Sequence, residues 1–305
     1  MSIKEYVRNK HTYITSRLAR MFLISKEGDS IPTINDLTQI FSVGSGTVQN
    51  AIQQLKREAA VEIETRGFLG SYITKLDYRK LWELSDFGVL LGLCPLATNA
   101  KIPGIADGIH KCFAMLDIHI HIAFMPGSIN RIDTLINEKS DFVVMSELAY
   151  LQAKKEQEPI EKVLDLGERT YAHNEEFALL VLKKKYSKSL PSKCVVGINK
   201  YSYDDMTLME NLSEEIDIQI ICKESFELMN GLKAEEIDAI VVHTSENDID
   251  EKEFQLYPLT KFQSIGDMIK KAENAVVVVR DDNNELRKIL ARRINPRMIH
   301  DVQNI

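Results

Sequence analysis

The alternation of hydrophobic and polar positions between residues 31 and 73 changes period along the chain. Apolar residues recur at helical spacing over 34–41, directly after Thr33, a residue type that favours helix N-caps. A second helical stripe has four apolar members: Val48, Ala51, Ile52 and Leu55. Residues 61–64 then alternate as a half-buried strand does, and residues 71–74 return after a glycine-bounded turn. The pattern predicts the element order of a winged helix-turn-helix.

Glycines punctuate both turns of this segment. We expect Gly44, between the helices, to adopt a positive φ, which glycine allows without steric cost. Ser45 or Gly46 is then expected to cap the second helix. The hairpin turn covers residues 66–70 and begins with Arg66.

The outward face of the second helix would be the surface that meets DNA. Its side chains are short hydrogen-bond donors and acceptors that suit phosphates and base edges, whereas a helix that packs only on protein more often exposes Glu and Lys. With the arginine of the hairpin turn added, the predicted DNA-contacting residues are Ser45, Gly46, Thr47, Gln49, Asn50 and Arg66. The alternative is a helical hairpin followed by a β-hairpin with no role in DNA binding.

Residues 31–73 resemble the winged helix of GntR-type bacterial regulators. The matching segments are Ile31-Pro32, Gly46-Thr47-Val48 and Gly70-Ser71-Tyr72. Where that family often has arginines this chain has Ser45 and Gln49, although Arg66 is retained. The departure implies fewer phosphate contacts from the helix, or a different operator preference.

The net charge of −7 would by itself argue against nucleic acid, but its distribution does not. Residues 1–78 carry ten basic and eight acidic side chains, whereas residues 79–305 carry 28 and 37. Six of the basic residues lie within the first 26 positions. Arg66 and this basic N-terminal helix are therefore expected to supply much of the attraction for phosphates. A solvated helix with an incidental excess of Lys and Arg explains the charge equally well in isolation.

Length and composition limit the remaining classes. A chain of 305 residues suffices for two or three domains. It has no apolar stretch of about 18 residues and no N-terminus typical of a signal peptide, so no membrane association is expected. Its four cysteines are widely spaced, which favours reduced thiols in a cytoplasmic protein over disulfides or a zinc site. No cofactor and no metal is predicted.

We predict three segments: a winged helix-turn-helix DNA-binding domain over 1–76, a linker over 77–85 that is either irregular or a short helix, and a ligand-binding domain over 86–305. Strands and helices alternate in the last of these, which predicts a sheet with helices on its faces.

Two β-α-β-α-β units follow one another in this domain, at residues 88–145 and 193–242. Each ends with an acidic residue followed by an apolar strand. The apolar segments 177–182 and 275–279 lie outside both units, and we predict that they cross between two lobes.

This organisation resembles, over residues 86–292, the two-lobed type II periplasmic-binding-protein fold that also serves as the effector domain of LysR-type regulators. The predicted fold class is therefore α/β: an N-terminal winged helix-turn-helix followed by a two-lobed type II periplasmic-binding-protein-like domain. The joined architecture resembles the YhfZ family of bacterial transcriptional regulators. That resemblance implies a regulator that responds to a small molecule.

Ligands of open α/β sheets bind beyond the carboxyl ends of the strands, an edge that faces the cleft in a two-lobed domain. The ligand-binding candidates follow predicted strands: Pro95, Thr98, Asn99, Gly127, Ser128, Ser146, Asn199, Tyr201, Ser202, Tyr203, His243, Thr244 and Ser245. Ser128 begins a helix, so its hydroxyl and the neighbouring amides suit an anionic effector, a carboxylate or a phosphate. Taken singly, Ser128 and Ser245 are more often ordinary helix caps, and His243 a loop histidine.

Asp117, His119 and His121 alternate along a predicted strand, so their side chains share one face. These residue types ligate metals, but an exposed polar strand face is the interpretation we favour.

Two function classes stay open. The first, which we favour, is a sequence-specific transcription factor that binds a double-stranded DNA operator as a homodimer, because paired half-sites match two-fold symmetry. The second is a small-molecule binding protein or an enzyme whose N-terminal domain does not bind DNA, although no recognisable catalytic motif supports an enzyme. The N-terminal helix has an apolar face that would either pair with a second copy or pack on the helix-turn-helix: Tyr13, Ile14, Leu18, Met21 and Phe22.

Overall fold

The computed structural model describes residues 10–97, 99–172, 177–185, 190, 193–244 and 249–304. Two compact units are present in it. The first comprises the described part of residues 1–90 together with His110–Ile120 and Glu285–Ile294, and the second comprises the rest.

The first unit opens with a winged helix-turn-helix. Its elements are α1 (Lys10–Leu23), β1 (Ser30–Ile31), α2 (Ile34–Phe41), α3 (Ser45–Arg57), β2 (Val61–Thr65), β3 (Ser71–Leu76) and α4 (Tyr78–Ser85). The three strands form one sheet in the order β1-β3-β2, with β3 antiparallel to both neighbours. The two-residue strand β1 is too short to show a hydrophobic period, so the sequence did not indicate it.

Local chemistry sets the ends of α2 and α3. Thr33 caps α2 as predicted: its hydroxyl accepts the N–H of Asp36, whose carboxylate accepts the N–H of Thr33. The expectation of a positive φ at Gly44 is wrong, because the left-handed residue is Ser42, with φ 53°. Gly44 has φ −69° and is itself the N-cap of α3, so Ser45 is already helical. The chain therefore turns two residues earlier after α2 than the glycine suggested.

The inner face of α3 consists of the four residues predicted from the hydrophobic period, all of them buried: Val48, Ala51, Ile52 and Leu55. Helix α1 contacts both α3 and α4, and its residues Ile14, Leu18 and Phe22 are buried. The Thr15 hydroxyl also donates to Gln54 Oε1 at 3.0 Å. Of the two alternatives for the apolar face of α1, packing within the unit is the one observed.

Residues 77–85 form a helix and not an irregular linker. The carboxylate of Asp77 accepts the N–H of Lys80 and begins α4. Trp82 is buried, its Nε1 donates to the Gly88 carbonyl at 2.8 Å, and its ring stacks on that of Phe87 with centroids 5.3 Å apart. Buried contacts thus order the segment that composition alone left open.

The second unit holds ten strands, β4 to β13, and most of the remaining helices. The strands are β4 (Leu90–Cys94), β5 (Ile120–Phe124), β6 (Phe142–Ser146), β7 (Ile160–Gly167), β8 (Phe177–Leu182), β9 (Cys194–Asn199), β10 (Ile218–Lys223), β11 (Ala239–His243), β12 (Phe254–Pro258) and β13 (Ala275–Arg280). The helices are α5 (Lys101–Ala114), α6 (Ser128–Ile136), α7 (Glu147–Lys155), α8 (Tyr203–Leu212), α9 (Ser225–Lys233), α10 (Gly266–Ala272), α11 (Asn284–Arg293) and α12 (Pro296–Gln303). Helix α11 and the ends of α5 and β5 belong to the first unit.

The two predicted repeats form two five-stranded sheets of identical topology. Their strand orders are β5-β4-β6-β13-β7 and β10-β9-β11-β8-β12. In each, the second, first and third strands of one repeat are followed by a strand from outside it, which runs antiparallel to its neighbours. These outside strands are β8 and β13, the two segments predicted to cross, so that prediction is confirmed.

Each lobe uses the acidic residue before its third strand in the same way. Asp141 Oδ2 accepts the N–H of Leu91 at 2.7 Å, and Asp238 Oδ2 accepts the N–H of Val195 at 2.9 Å. Burial raises the pKa of Asp141, although the Leu91 N–H opposes that shift. The apolar strands β6 and β8 are buried at every position, since helices or strands cover both faces. The four cysteines are free thiols, in agreement with the sequence.

Candidate functional site

The outer face of α3 is free of core contacts. Ser45, Gly46, Gln49 and Asn50 are exposed and Thr47 is half-buried, while the opposite face of the helix is buried. These five uncharged residues therefore present polar side chains or, at Gly46, backbone to solvent, on a helix that its buried face holds in place. Such groups suit phosphates and base edges.

The wing places Arg66 within its own charge network. Its guanidinium donates twice to Glu64 Oε2, at 2.9 and 3.0 Å, and lies 5.0 Å from the centre of the Tyr72 ring. The turn also exposes Phe68 and Leu69. A neighbouring carboxylate offsets much of the charge of Arg66, so the wing attracts phosphate less than the sequence indicated.

The basic N-terminal helix is engaged in the same way. Arg17 and Arg20 each lie 2.7 Å from a carboxylate oxygen of Glu285. Arg20 also donates to the Ser85 carbonyl at 2.8 Å. The pairing with an internal carboxylate reduces the charge that these two arginines offer to phosphates, and the expectation that this helix supplies much of the phosphate attraction stays a prediction. Lys4 and Arg8 lie outside the described residues.

The second unit contains a cavity of about 340 Å³. Its wall includes loop and helix residues that follow β4, β5, β9 and β10 and the last four residues of β11, so both sheets supply residues from their carboxyl edges. The predicted candidates among its lining residues are Pro95, Asn99, Gly127, Ser128, Asn199, Ser202 and His243. The lining residues not named from the sequence include Ile102, Arg131, Tyr171, Asp204, Asp205, Leu228 and Met229.

Gly127 lies in this wall at a position that has no room for a side chain. Its φ of +78° lies in the range that glycine adopts freely and side-chain-bearing residues rarely do. A Cβ added there would lie 2.7 Å from Cβ of Tyr201 and 3.0 Å from the Tyr201 carbonyl oxygen. Beside it, the hydroxyl of Ser128 accepts the N–H of Tyr203 at 3.0 Å. These contacts join a loop of the first sheet to a loop of the second at the cavity.

Four of the candidates are placed elsewhere. Ser146 is fully buried and does not line the cavity: its hydroxyl caps α7 by accepting the N–H of Ala149 and donates to Asp204. Tyr201 is not in the wall either, and its hydroxyl donates to Glu224 Oε1 at 3.3 Å. Thr244 is half-buried beyond the lining. Tyr203, although buried, is likewise not a lining residue. Thr98 and Ser245 lie outside the described residues.

Arg131 is the buried cation of the cavity. Arg131 is 2% exposed. Its Nη1 donates to the Met125 carbonyl at 2.8 Å, and its Nη2 donates to the Tyr171 hydroxyl at 3.4 Å. Among the described residues, no acceptor hydrogen-bonds its buried Nε. Arg131 follows Ser128 by three positions on α6, so both occupy one face of the helix. This spacing is visible in the sequence, but Arg131 lies inside a helix and not in a loop that follows a strand.

Asp204 and Asp205 are the buried acids of the cavity, in the first turn of α8. Asp204 Oδ1 accepts the Ser146 hydroxyl at 2.5 Å, and Asp205 accepts the Ser202 hydroxyl at 2.9 Å and the Asn199 N–H at 3.2 Å. Burial raises the pKa of Asp205 to about 6, while the nearby His243 opposes the shift. Burial also raises the pKa of Asp204, against the Ser146 hydrogen bond and the charges of His243 and Arg131.

The strand face suggested as a start of a metal site is exposed, as the simpler interpretation predicts. His119 and His121 are exposed, and Asp117 pairs with Arg79 at 2.8 Å. Within the described residues, no group of three or more His, Cys, Asp or Glu side chains could hold a metal ion. In the same part of the chain, none of the helices is long and apolar enough to cross a bilayer.

Comparison with known proteins follows the same division of the chain. Residues 26–73 match a helix-turn-helix domain family, and residues 77–305 match the YhfZ C-terminal domain family. YhfZ of Escherichia coli K12 is 25% identical over 288 residues, which cover 94% of this chain and 91% of that protein.

Solved structures show the fold. The crystal structure of YhfZ from Shigella flexneri has a TM-score of 0.59 at 22% identity, covering 74% of this chain and 93% of that one. The VFT2 domain of Bordetella pertussis BvgS, crystallised as a double mutant, has a TM-score of 0.50 at 10% identity, covering 74% and 96%. The predicted fold class is confirmed: a helix-turn-helix domain precedes a domain of the periplasmic-binding-protein fold. Since the C-terminal family model spans three-quarters of its length, this chain belongs to the YhfZ family.

Proposed function

We propose that this protein is a sequence-specific, DNA-binding transcriptional regulator whose C-terminal domain binds a small-molecule effector. The observation that carries the proposal is helix α3, whose apolar face is buried while its outer face offers uncharged polar groups and backbone over Ser45–Gln53 and the exposed Arg57 in its last turn. Its place in a winged helix-turn-helix, as in GntR-type regulators, puts that face where such folds enter the major groove.

The cavity supports the second half of the proposal. Its buried, charged lining and its volume of about 340 Å³ are typical of small-molecule sites, which range over roughly 300–1,000 Å³. The buried Arg131 favours an effector with an anionic group. The hydroxyls of Ser128 and Ser202 in the cavity wall already accept hydrogen bonds from backbone N–H groups, which favours a binding role over a catalytic one. A regulator of this kind would act in the cytoplasm and, as a homodimer, read paired half-sites.

DNA binding is tested with the purified full-length protein and the DNA upstream of its own gene. We expect a complex in a fluorescence-anisotropy titration that weakens steeply with salt, because phosphate contacts release counterions. The double variant Gln49→Ala/Asn50→Ala should lower the affinity at least about tenfold without changing the melting temperature. Asn230→Ala, an exposed asparagine on α9, is the matched control and should bind as the wild type does.

Two results would refute the regulator assignment. One is the absence of any salt-sensitive complex with that DNA. The other is a complex whose affinity is the same for the double variant and for the control, because α3 would then not be the recognition helix.

A further inference from the structure

The charges of the cavity come from two helices. The guanidinium of Arg131 belongs to α6, which follows β5 of the first sheet, whereas the carboxyl groups of Asp204 and Asp205 belong to α8, which follows β9 of the second. All three residues are at most 7% exposed and all three line the same cavity. The site therefore has a cationic and an anionic contribution that different ends of one ligand could meet.

Arg131 is not neutralised by an ion pair within the part of the chain that the structure describes. Its two Nη atoms donate to a carbonyl and a hydroxyl, which are neutral, and its Nε has no acceptor. A guanidinium stays protonated in proteins, and a buried cation with an unused donor is unfavourable. An anionic group placed at Nε would supply the missing acceptor and a charge in direct contact with the guanidinium.

The carboxylate pair makes a simple anion a poor ligand. Two carboxyl groups and one guanidinium line the cavity, so a second anionic group placed beside Asp204 and Asp205 would be repelled whenever they are ionised. Each carboxylate already accepts hydrogen bonds from the protein, but carboxylate oxygens have about four lone-pair positions and can accept more. An ammonium group donates in three directions and carries the opposite charge, so it suits this side of the cavity.

We propose that the effector is a small zwitterion, with its acidic group at Arg131 and its ammonium group at Asp204 and Asp205. A cation alone would leave Nε of Arg131 without an acceptor, and a neutral ligand would bring no charge to either side. The cavity volume of about 340 Å³ is near the lower end of small-molecule sites, roughly 300–1,000 Å³, so the ligand is a compact molecule. This inference rests on the proposed effector-binding role of the cavity.

The test uses the full-length protein and a panel of α-, β- and ω-amino carboxylates together with 2-aminoethylphosphonate. Thermal stabilisation identifies ligands and calorimetry measures their Kd. Each zwitterion that binds is compared with the compound that lacks only its amine and the one that lacks only its acid. We expect each of these to bind at least about tenfold more weakly, since charged hydrogen bonds are lost. The phosphonate distinguishes a carboxylate from a phosphorus-based acid.

Variants assign the two ends. Asp204→Asn should weaken the zwitterion at least about tenfold while leaving the affinity for its amine-free counterpart unchanged or improved, and Arg131→Gln should do the reverse with the acid-free counterpart. Asp205→Asn provides a second anionic-side variant if Asp204→Asn unfolds. Asp141→Asn and Arg280→Gln are matched controls outside the cavity and should bind as the wild type does.

Three outcomes would overturn the proposal: equal affinity for a zwitterion and its amine-free counterpart, unchanged zwitterion affinity in folded Asp204→Asn and Asp205→Asn, or no stabilisation by any zwitterion in the panel. Each is separable from failure of the regulator assignment, because the salt-sensitive binding of upstream DNA is measured independently in the same preparation.

Discussion

The replacement Gly127→Ala tests the geometry that brings the two sheets together at the cavity. Gly127 has φ +78° and ψ 125°, and a methyl group there would lie 2.7 Å from Tyr201 Cβ. A backbone of this kind is unfavourable for alanine by about 1–3 kcal/mol. The overlap with Tyr201 adds about 1–3 kcal/mol, because the neighbouring loop must shift to relieve it. The expected loss is therefore about 2–6 kcal/mol of unfolding free energy.

Differential scanning calorimetry of the full-length protein measures this loss. For a domain of this size the melting transition should fall by about 4–20 °C. Gly266→Ala is the matched control, because its backbone is ordinary and nothing lies within 4 Å of the added Cβ; it should melt at or slightly above the wild-type temperature. If Gly127→Ala melts within a degree of the control, the close approach of Gly127 and Tyr201 does not exist in solution.

Three further predictions concern single groups. Asp205→Asn should flatten the pH dependence of stability. Because the pKa of Asp205 is raised to about 6, this carboxyl group contributes most to stability below about pH 4, and the contribution declines as the pH rises towards 6. Urea unfolding over pH 4–7 measures this, and an unchanged slope of unfolding free energy against pH would contradict the prediction. Ser128→Ala should destabilise the protein by about 1–3 kcal/mol, because the buried N–H of Tyr203 loses its acceptor; chemical denaturation measures this, and a change below about 0.5 kcal/mol would show that the bond contributes little. Thr33→Ala should reduce stability by about 1 kcal/mol through loss of the α2 cap, whereas Thr33→Ser should restore it, and hydrogen exchange in α2 would show the difference.

Much of the architecture was readable because its signals are local. The inner face of α3 was identified residue by residue. The strands that cross between lobes were recognised because they are continuous apolar runs outside both repeats. Hydrophobic period and run length are properties of neighbouring residues, so they can be recognised without knowledge of the fold.

The candidate site was predicted less completely. Rules about strand ends found Gly127, Ser128 and Asn199 along the cavity, but they also named Ser146, whose hydroxyl serves a helix cap and Asp204. The same rules passed over Arg131, because a residue inside a helix is not distinguishable from an exposed surface arginine until its neighbours are known. The turn at Gly44 shows a similar limit, since the left-handed residue is a serine.

The sequence by itself determined the order of elements, the faces of the helices and strands that are buried, and the division into a helix-turn-helix and an α/β domain. These follow from periodicity and capping, which act over a few residues. Which arginines have carboxylate partners became known only from the tertiary structure. Arg17, Arg20 and Arg66 have carboxylate partners, whereas Arg131 is buried in a cavity with an unused donor. Whether a charge is paired depends on residues distant in sequence, in one case 268 positions away, because electrostatic interaction follows distance in space.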